Sequence, residues 1–495
     1  MPKRDKLFQL VCSLSKTEKR YFSIYSQLHA KSENNDYLKL FREFERQETL
    51  DESRIKQNLA GERFLEHYAV TKSYLYDLIL KAMRSYSKHS DDKRVLDLIQ
   101  DVEFLTGKGI FDQALQLLQK AKEIAEQNGL LANLDLLLHW EKRIHLASGF
   151  VYFNDQRLLT LGKEQIQVQQ KRRIQNKLWV KNAMLKGNSL SRNYELDPME
   201  GLLDKDNEIL QSIQGHARNK LPYLFIEVQT LVANGRHSEG LQALISLKKD
   251  WLEQNYHMEF PLLFVRIWAQ ILELIFEAGN YKELNLELQT LASDSEWCNS
   301  NYFVAAWVRC TPLYYSGYRA ALQRDELNLR QFTQAWERRP LIDQLYLFGY
   351  ETKASFFIGY AYYLNRKFED AEHEFAKICK MPGDWYCLST LISAWIFRLI
   401  CQMEMGSWKK IVRLAERFKT MLQIHSAYNH AKLVSVLELI LSGTDGKEVF
   451  GAMAQFKNLD LAELGADSNN HNLLKLARIE LTALNVEDFN PSDWK

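Results

Sequence analysis

Proline and glycine are what this chain is shortest of, with 8 and 21 among 495 residues. Both interrupt regular structure, so their scarcity excludes a collagen-like chain or a β-fold built on frequent tight turns, and favours helices. Long apolar runs are missing too. No window holds even about 18 uninterrupted apolar residues, so no membrane-spanning segment is expected. The opening stretch "MPKRDKLFQLVCSLSKTEKRYF" has basic residues, but its apolar run is short and broken by Ser13 and Ser15. It lacks a small-residue cleavage site and does not read as a secretory signal. Cys12, Cys298, Cys310, Cys379, Cys387 and Cys401 form no C-x-x-C pair and no zinc-finger spacing with histidine. They are expected as free thiols in a reducing cytosol, which places the protein in the cytoplasm. A charge excess is lacking as well. Lys plus Arg number 64 and Asp plus Glu 63, a net +1, so bulk charge draws neither nucleic acid nor a membrane surface.

Signatures of catalysis are equally sparse. "GTDGKE" at Gly443 has the wrong spacing for a phosphate loop and no hydroxyl after Lys447, so it reads as a plain loop. "HEF" at His373 lacks the second histidine of a zinc helix, and no G-x-S-x-G elbow exists. Glu369 and Asp370 are adjacent carboxylates in a turn. The expectation is a protein with no enzymatic activity, no metal site and no cofactor.

What is present is helical periodicity. "SKTE" at Ser15–Glu18 is a capping box, in which a hydroxyl caps the helix start and a glutamate reaches back to the cap amide. Helical spacing then runs through "NNDYLKLFREFERQ" and "ERFLEHYAVTKSYLYDLILKAMRSY" as far as the polar "SKHSDD" at Ser87–Asp92. This suggests an N-terminal helical unit over residues 1–90, a long helical array over 91–445, and C-terminal capping helices with a tail over 446–495. The capping segment is "NNHNLLKLARIELTALNV".

Five turns in the array share one form: glycine, one residue, a ring, two polar residues, then a small or apolar residue. They are Gly109/Phe111/Ala114, Gly235/His237/Gly240, Gly279/Tyr281/Leu284, Arg366/Phe368/Ala371 and Gly406/Trp408/Ile411. Glycine ends the first helix through the left-handed region, the ring wedges between the helices, and the small residue lets them approach. The spacing from Leu284 to Ala371 is nearly two periods, which places a masked repeat around residues 305–340. With Gly359, Tyr362, Phe368, Ala371, Phe375 and Pro382 in place, the segment from Glu351 resembles a tetratricopeptide repeat (TPR). Ser355 stands where that family has tryptophan, and Arg366 where it has glycine. The N-terminal unit is also similar to the start of uncharacterised bacterial TPR proteins. The resemblance implies an all-α right-handed superhelix of helix–turn–helix repeats.

By the same resemblance, the first helix of each pair would line a concave face. In the clearest copy that puts Lys353, Phe356, Tyr360 and Tyr363 on one stripe, where tyrosine suits peptide recognition. A neighbouring helix is the competing destination for the same stripe. The leading expectation is a scaffold that binds a partner protein or peptide there, with no membrane role. The alternative is a nucleic-acid-binding or peptide-sensing regulatory protein. It would use the basic segment 162–193, in which Lys163, Lys171, Arg172, Arg173, Lys177, Lys181, Lys186 and Arg192 stand against Glu164 alone. The acidic "ELDPMEGLLDKDNE" that follows is a competing source of neutralisation.

Overall fold

The computed structural model describes residues 5–28, 36–47, 50–86, 91–151, 155–187, 217–233, 236–293, 297, 301–339, 348–380, 388–424 and 431–455. Every regular element among these residues is helical, as expected for an all-α chain, and no strand occurs among them. The chain divides into two compact units. One comprises residues 1–78, 187–194 and 279–495, the other 79–186 and 195–278.

The first unit begins with α1 (Lys6–Ser13), α2 (Lys16–Leu28), α3 (Asp36–Glu45), α4 (Glu52–Asn58), a 3-10 turn (Arg63–His67) and the start of α5 (Tyr68–Tyr86). The capping box forms in both directions: Ser15 N–H donates to Glu18 Oε2 at 2.7 Å, and Glu18 N–H to Ser15 Oγ at 3.3 Å. Val11, Phe22, Phe41 and Phe44 are fully buried, and the Phe22 and Phe41 rings lie 4.6 Å apart. Within the same unit α1 also packs against the helix Tyr302–Leu322.

The second unit holds α6 (Asp91–Gly107), α7 (Phe111–Gln127), α8 (Leu131–Ala147), α9 (Asp155–Gly187), α10 (Ala217–Ala233), α11 (His237–Glu253), the single turn α12 (Tyr256–Glu259) and α13 (Pro261–Glu277). Val95, Val102, Ala114, Leu118, Ala121, Leu137 and Ile144 form the core of α6, α7 and α8. A charge cluster crosses the same helices. Glu141 of α8 accepts from Lys122 of α7 at 2.6 Å and from Arg157 of α9 at 2.7 Å, and Arg157 reaches Glu164 at 2.8 Å. Burial alone would raise the Glu141 pKa, but the hydrogen bonds from Arg157 and Lys122 outweigh it and hold the carboxyl below its ordinary value.

The first unit continues with α14 (Tyr281–Ser293), α15 (Tyr302–Leu322), α16 (Glu326–Arg338), α17 (Phe348–Leu364), α18 (Phe368–Cys379), α19 (Leu388–Glu404), α20 (Trp408–Ile424), α21 (Ala431–Ser442) and α22 (Gly446–Ala454). Consecutive helices pack on one another, and α15 on α17 and α17 on α19 as well, so each hairpin leans on the next. The hairpin α15–α16 occupies the span 305–340 in which a masked repeat is expected. "GTDGKE", read as a plain loop, starts a helix instead. Asp445 accepts from Glu448 N–H at 2.9 Å while Glu448 accepts from Thr444 N–H at 2.7 Å. Pro382, the first four residues of "SKHSDD" (87–90), Gly235 and the capping segment beyond residue 455 lie outside the described residues.

The joints repeat one geometry. Gly109, Gly279 and Gly406 have φ of 74°, 71° and 65°, and Arg366 takes the same left-handed conformation at 56°. So does Arg324, at 52°, between α15 and α16. At Arg366 the next N–H, of Lys367, returns to the Tyr362 carbonyl at 2.9 Å; at Arg324 that of Asp325 returns to Ala320 at 2.9 Å. This six-residue closure satisfies the last helical carbonyls. Left-handed backbone is strained for arginine, yet the closure enforces it in both hairpins.

A second device recurs inside the hairpins. A Cβ on Gly317 would lie 2.5 Å from the Phe332 ring, and one on Gly359 would lie 3.0 Å from the Phe375 ring. Each glycine lets the first helix of its pair sit down on an aromatic ring of the second. "GYRAALQR" (317–324) and "GYAYYLNR" (359–366) carry the glycine, a tyrosine, a leucine, a carboxamide and the hinge arginine in the same register.

Candidate functional site

The aromatic stripe is interior. Phe356 and Tyr360 are 0% exposed and Tyr363 is 8% exposed. Phe397 of α19 meets all three rings, at 5.4, 5.6 and 5.6 Å. Lys353 is half-buried with its ammonium 5.9 Å from the Tyr318 ring. These four residues therefore join α17 to α15 and α19, which corrects the expectation of an open groove. The physical reason is that a helix gripped on both sides has no apolar face left for a partner: Tyr318, Phe332, Phe375 and Phe397 occupy its surroundings.

The basic segment forms most of α9. Arg172 pairs with Asp135 of α8, and Arg157 with Glu141 and Glu164. Arg173 and Lys177 line a shallow concavity of about 540 Å³ with Gln169, Asn176 and the paired Arg172. Lys171 lines a separate, smaller recess, and Lys181 lies one turn beyond Lys177. Part of the positive charge is thus matched by acids of the adjacent helix.

A groove of about 930 Å³ lies between α14, α15 and α16, wholly within the first unit. Its floor is apolar: Leu284 from α14, Tyr315 and Ala320 from α15, and Phe332 from α16 are all buried. Its rim is polar and exposed, with Asn285, Gln289, Gln323 and Gln331 presenting carboxamides and Ser316 a hydroxyl. The sequence builds this in three ways. On α14 the lining residues Tyr281, Leu284, Asn285, Leu288 and Gln289 follow three- and four-residue spacing, so one stripe faces the groove. Gly317 and Phe332 fix how deeply α15 and α16 mesh, which sets the floor. Pro312 lies inside α15 and has no N–H for the carbonyl four residues earlier, so this edge of the groove is bare of one helical bond.

The electrostatics are mild. Asp325 is the lone lining acid and is committed to capping α16, with Oδ1 accepting from Asn328 N–H at 3.1 Å and Oδ2 from the Asn328 carboxamide at 2.6 Å. The bond from the Asn328 backbone is the chief reason its pKa lies below the ordinary value. Arg319 is the lone lining cation and stacks over the Tyr281 ring at 4.5 Å. A carboxamide offers a donor pair and an acceptor, the complement of a peptide group, so this rim can pair with an extended main chain over an apolar floor. Sequence reasoning missed the groove because it searched one repeat for a stripe. The signal that locates it is the shared "GY…L[QN]R" register, which puts a second hairpin at residues 302–338.

Among the described residues no cluster of histidine, cysteine, aspartate or glutamate is arranged to hold a metal, and no helix is long and apolar enough to cross a membrane. Cys12, Cys310, Cys379 and Cys401 are not joined in disulfides. Burial pushes the Cys12 and Cys379 thiols up to about 11, so neither is a ready thiolate at neutral pH. The class defined by these features is an all-α protein of consecutively packed helical hairpins. Comparison with known families, curated proteins and solved structures finds no match to the chain.

Proposed function

We propose that this is a tetratricopeptide-like repeat protein that binds an extended segment of a partner protein in the α14–α15–α16 groove, without catalysis of its own. The observation that carries the reading is the pairing of a buried apolar floor with an uncharged carboxamide rim. The repeated left-handed joints and the glycine-on-ring contacts support the repeat assignment. On α15 the lining runs from Pro312 to Gln323, roughly 16 Å at 1.5 Å per residue, which accommodates about five residues of extended chain. The basic face of α9 carries less, because Asp135, Glu141 and Glu164 already occupy Arg172 and Arg157.

The test is selection of displayed twelve-residue peptides on the full chain, followed by titration of the enriched peptides against Asn285→Ala/Gln323→Ala. Two lost hydrogen bonds at about 1 kcal/mol each should weaken binding by about thirtyfold while the thermal melt is unchanged. Enriched peptides that bind the double variant as tightly as the parent would place recognition elsewhere.

A further inference from the structure

Resting on the peptide-binding reading, we infer that the groove selects a segment with an internal acidic side chain, which docks on Arg319. Arg319 is exposed, and its guanidinium carbon lies over the half-buried Tyr281 ring, 4.5 Å from the centroid. A guanidinium held over a ring keeps its N–H donors for a carboxylate, which it can grip through two parallel bonds. No acid among the described residues pairs with it. Three other arginines of the same unit are paired with acids: Arg330 with Glu326, Arg339 with Glu351 and Arg398 with Glu372. The groove's own acid, Asp325, is held by Asn328. Among the described lining residues, the groove therefore presents one uncommitted charge, and that charge is positive.

The shared hairpin register does not call for this arginine. In the register that aligns "GYRAALQR" with "GYAYYLNR", the next hairpin has Ala361 at the matching position while keeping the glycine, the tyrosine and the hinge arginine. Position along the groove decides the source of the carboxylate. Lining residues continue on α15 on both sides of Arg319, to Ser316 and Pro312 in one direction and Gln323 in the other. A chain lying there passes the arginine and continues, so the acid is a side chain within the segment and not a chain end.

The probes are acetylated, amidated nonapeptide libraries of uncharged residues with central Glu, Gln or Lys, and a central-Gln library with a free C-terminal carboxylate. Fluorescence polarisation is read with the full chain and with Arg319→Gln, Arg319→Glu and Asn285→Ala/Gln323→Ala, each checked by thermal melt. The parent should prefer the Glu library over the Gln library about tenfold at low salt. Arg319→Gln should level the two, and Arg319→Glu should shift preference to the Lys library. Equal binding of Glu and Gln libraries by the parent overturns the acid selectivity. If the Gln library still binds and the Asn285/Gln323 variant loses it, the groove reading stands alone. Preference for the free-carboxylate library overturns the internal acid, and no binding by any library overturns both readings.

Discussion

Replacing Glu141 by glutamine tests how the second unit is held together. The side chains of Lys122 and Glu141 are 6% and 7% exposed, and they meet at 2.6 Å. Glu141→Gln keeps the shape and removes the charge, leaving the Lys122 ammonium buried. Removing one partner of a buried pair costs about 3–5 kcal/mol, because the other charge stays desolvated. Glu164 softens the loss, standing 3.6 Å from Lys122 and 2.8 Å from Arg157. The expected cost is therefore the low end, about 3 kcal/mol. Lys122→Met with Glu141→Leu removes both buried charges and should recover most of it, since well-packed apolar replacements of buried pairs are often neutral. The assay is urea unfolding of the full chain, following the Trp140 region of this unit, with the double-variant cycle giving the coupling. The pH dependence has a defined sign. Glu141 has a lowered pKa, so its contribution is present above the ordinary carboxylate range and is lost as pH falls through the folded value. His145 is lowered chiefly by burial, so its contribution is complete above about pH 6.5 and declines below it. Both make the unit acid-sensitive, and Glu141→Gln should flatten the carboxylate part of the profile. A cost below about 1 kcal/mol for Glu141→Gln, with an unchanged acid profile, would refute the account of the cluster as a buried, interdependent set.

Two further perturbations address the hairpins. Gly317→Ala places a methyl 2.5 Å from the Phe332 ring and should cost about 1–3 kcal/mol, with Phe332→Leu in the same chain restoring part of it; thermal melts of the four forms check this. At Arg366, where φ is 56°, valine should be less stable than glycine by about 2 kcal/mol, since a branched side chain fits the left-handed region worst; urea midpoints of the two variants give the difference.

The helical class was legible because its signals are local. Few helix breakers, the Ser15–Glu18 box and the turn signals all act within a few residues; the box formed, and the joints at Gly109, Gly279, Arg366 and Gly406 are left-handed. Arg366 was read as a departure from glycine, yet the chain bends there as it does at Gly406. Conformation at the joint is dictated by the carbonyls that need closing, and side-chain identity is secondary. The stripe Phe356–Tyr360–Tyr363 was legible as a stripe, but whether it meets a partner or another helix depends on Phe397, more than thirty positions away. The groove was illegible for a similar reason, since its floor and rim come from three helices and its depth from one contact between Gly317 and Phe332.

That contact has a consequence for how such a chain can change length. Gly317 and Gly359 recur at the same interval as Arg324 and Arg366, so the portion between them works as an interchangeable cassette whose two ends match. Excising residues 318–359 would bring Gly317 into the register of Gly359, opposite Phe375 and ahead of the left-handed bend at Arg366, while Arg319 and Phe332 would go with the excised portion.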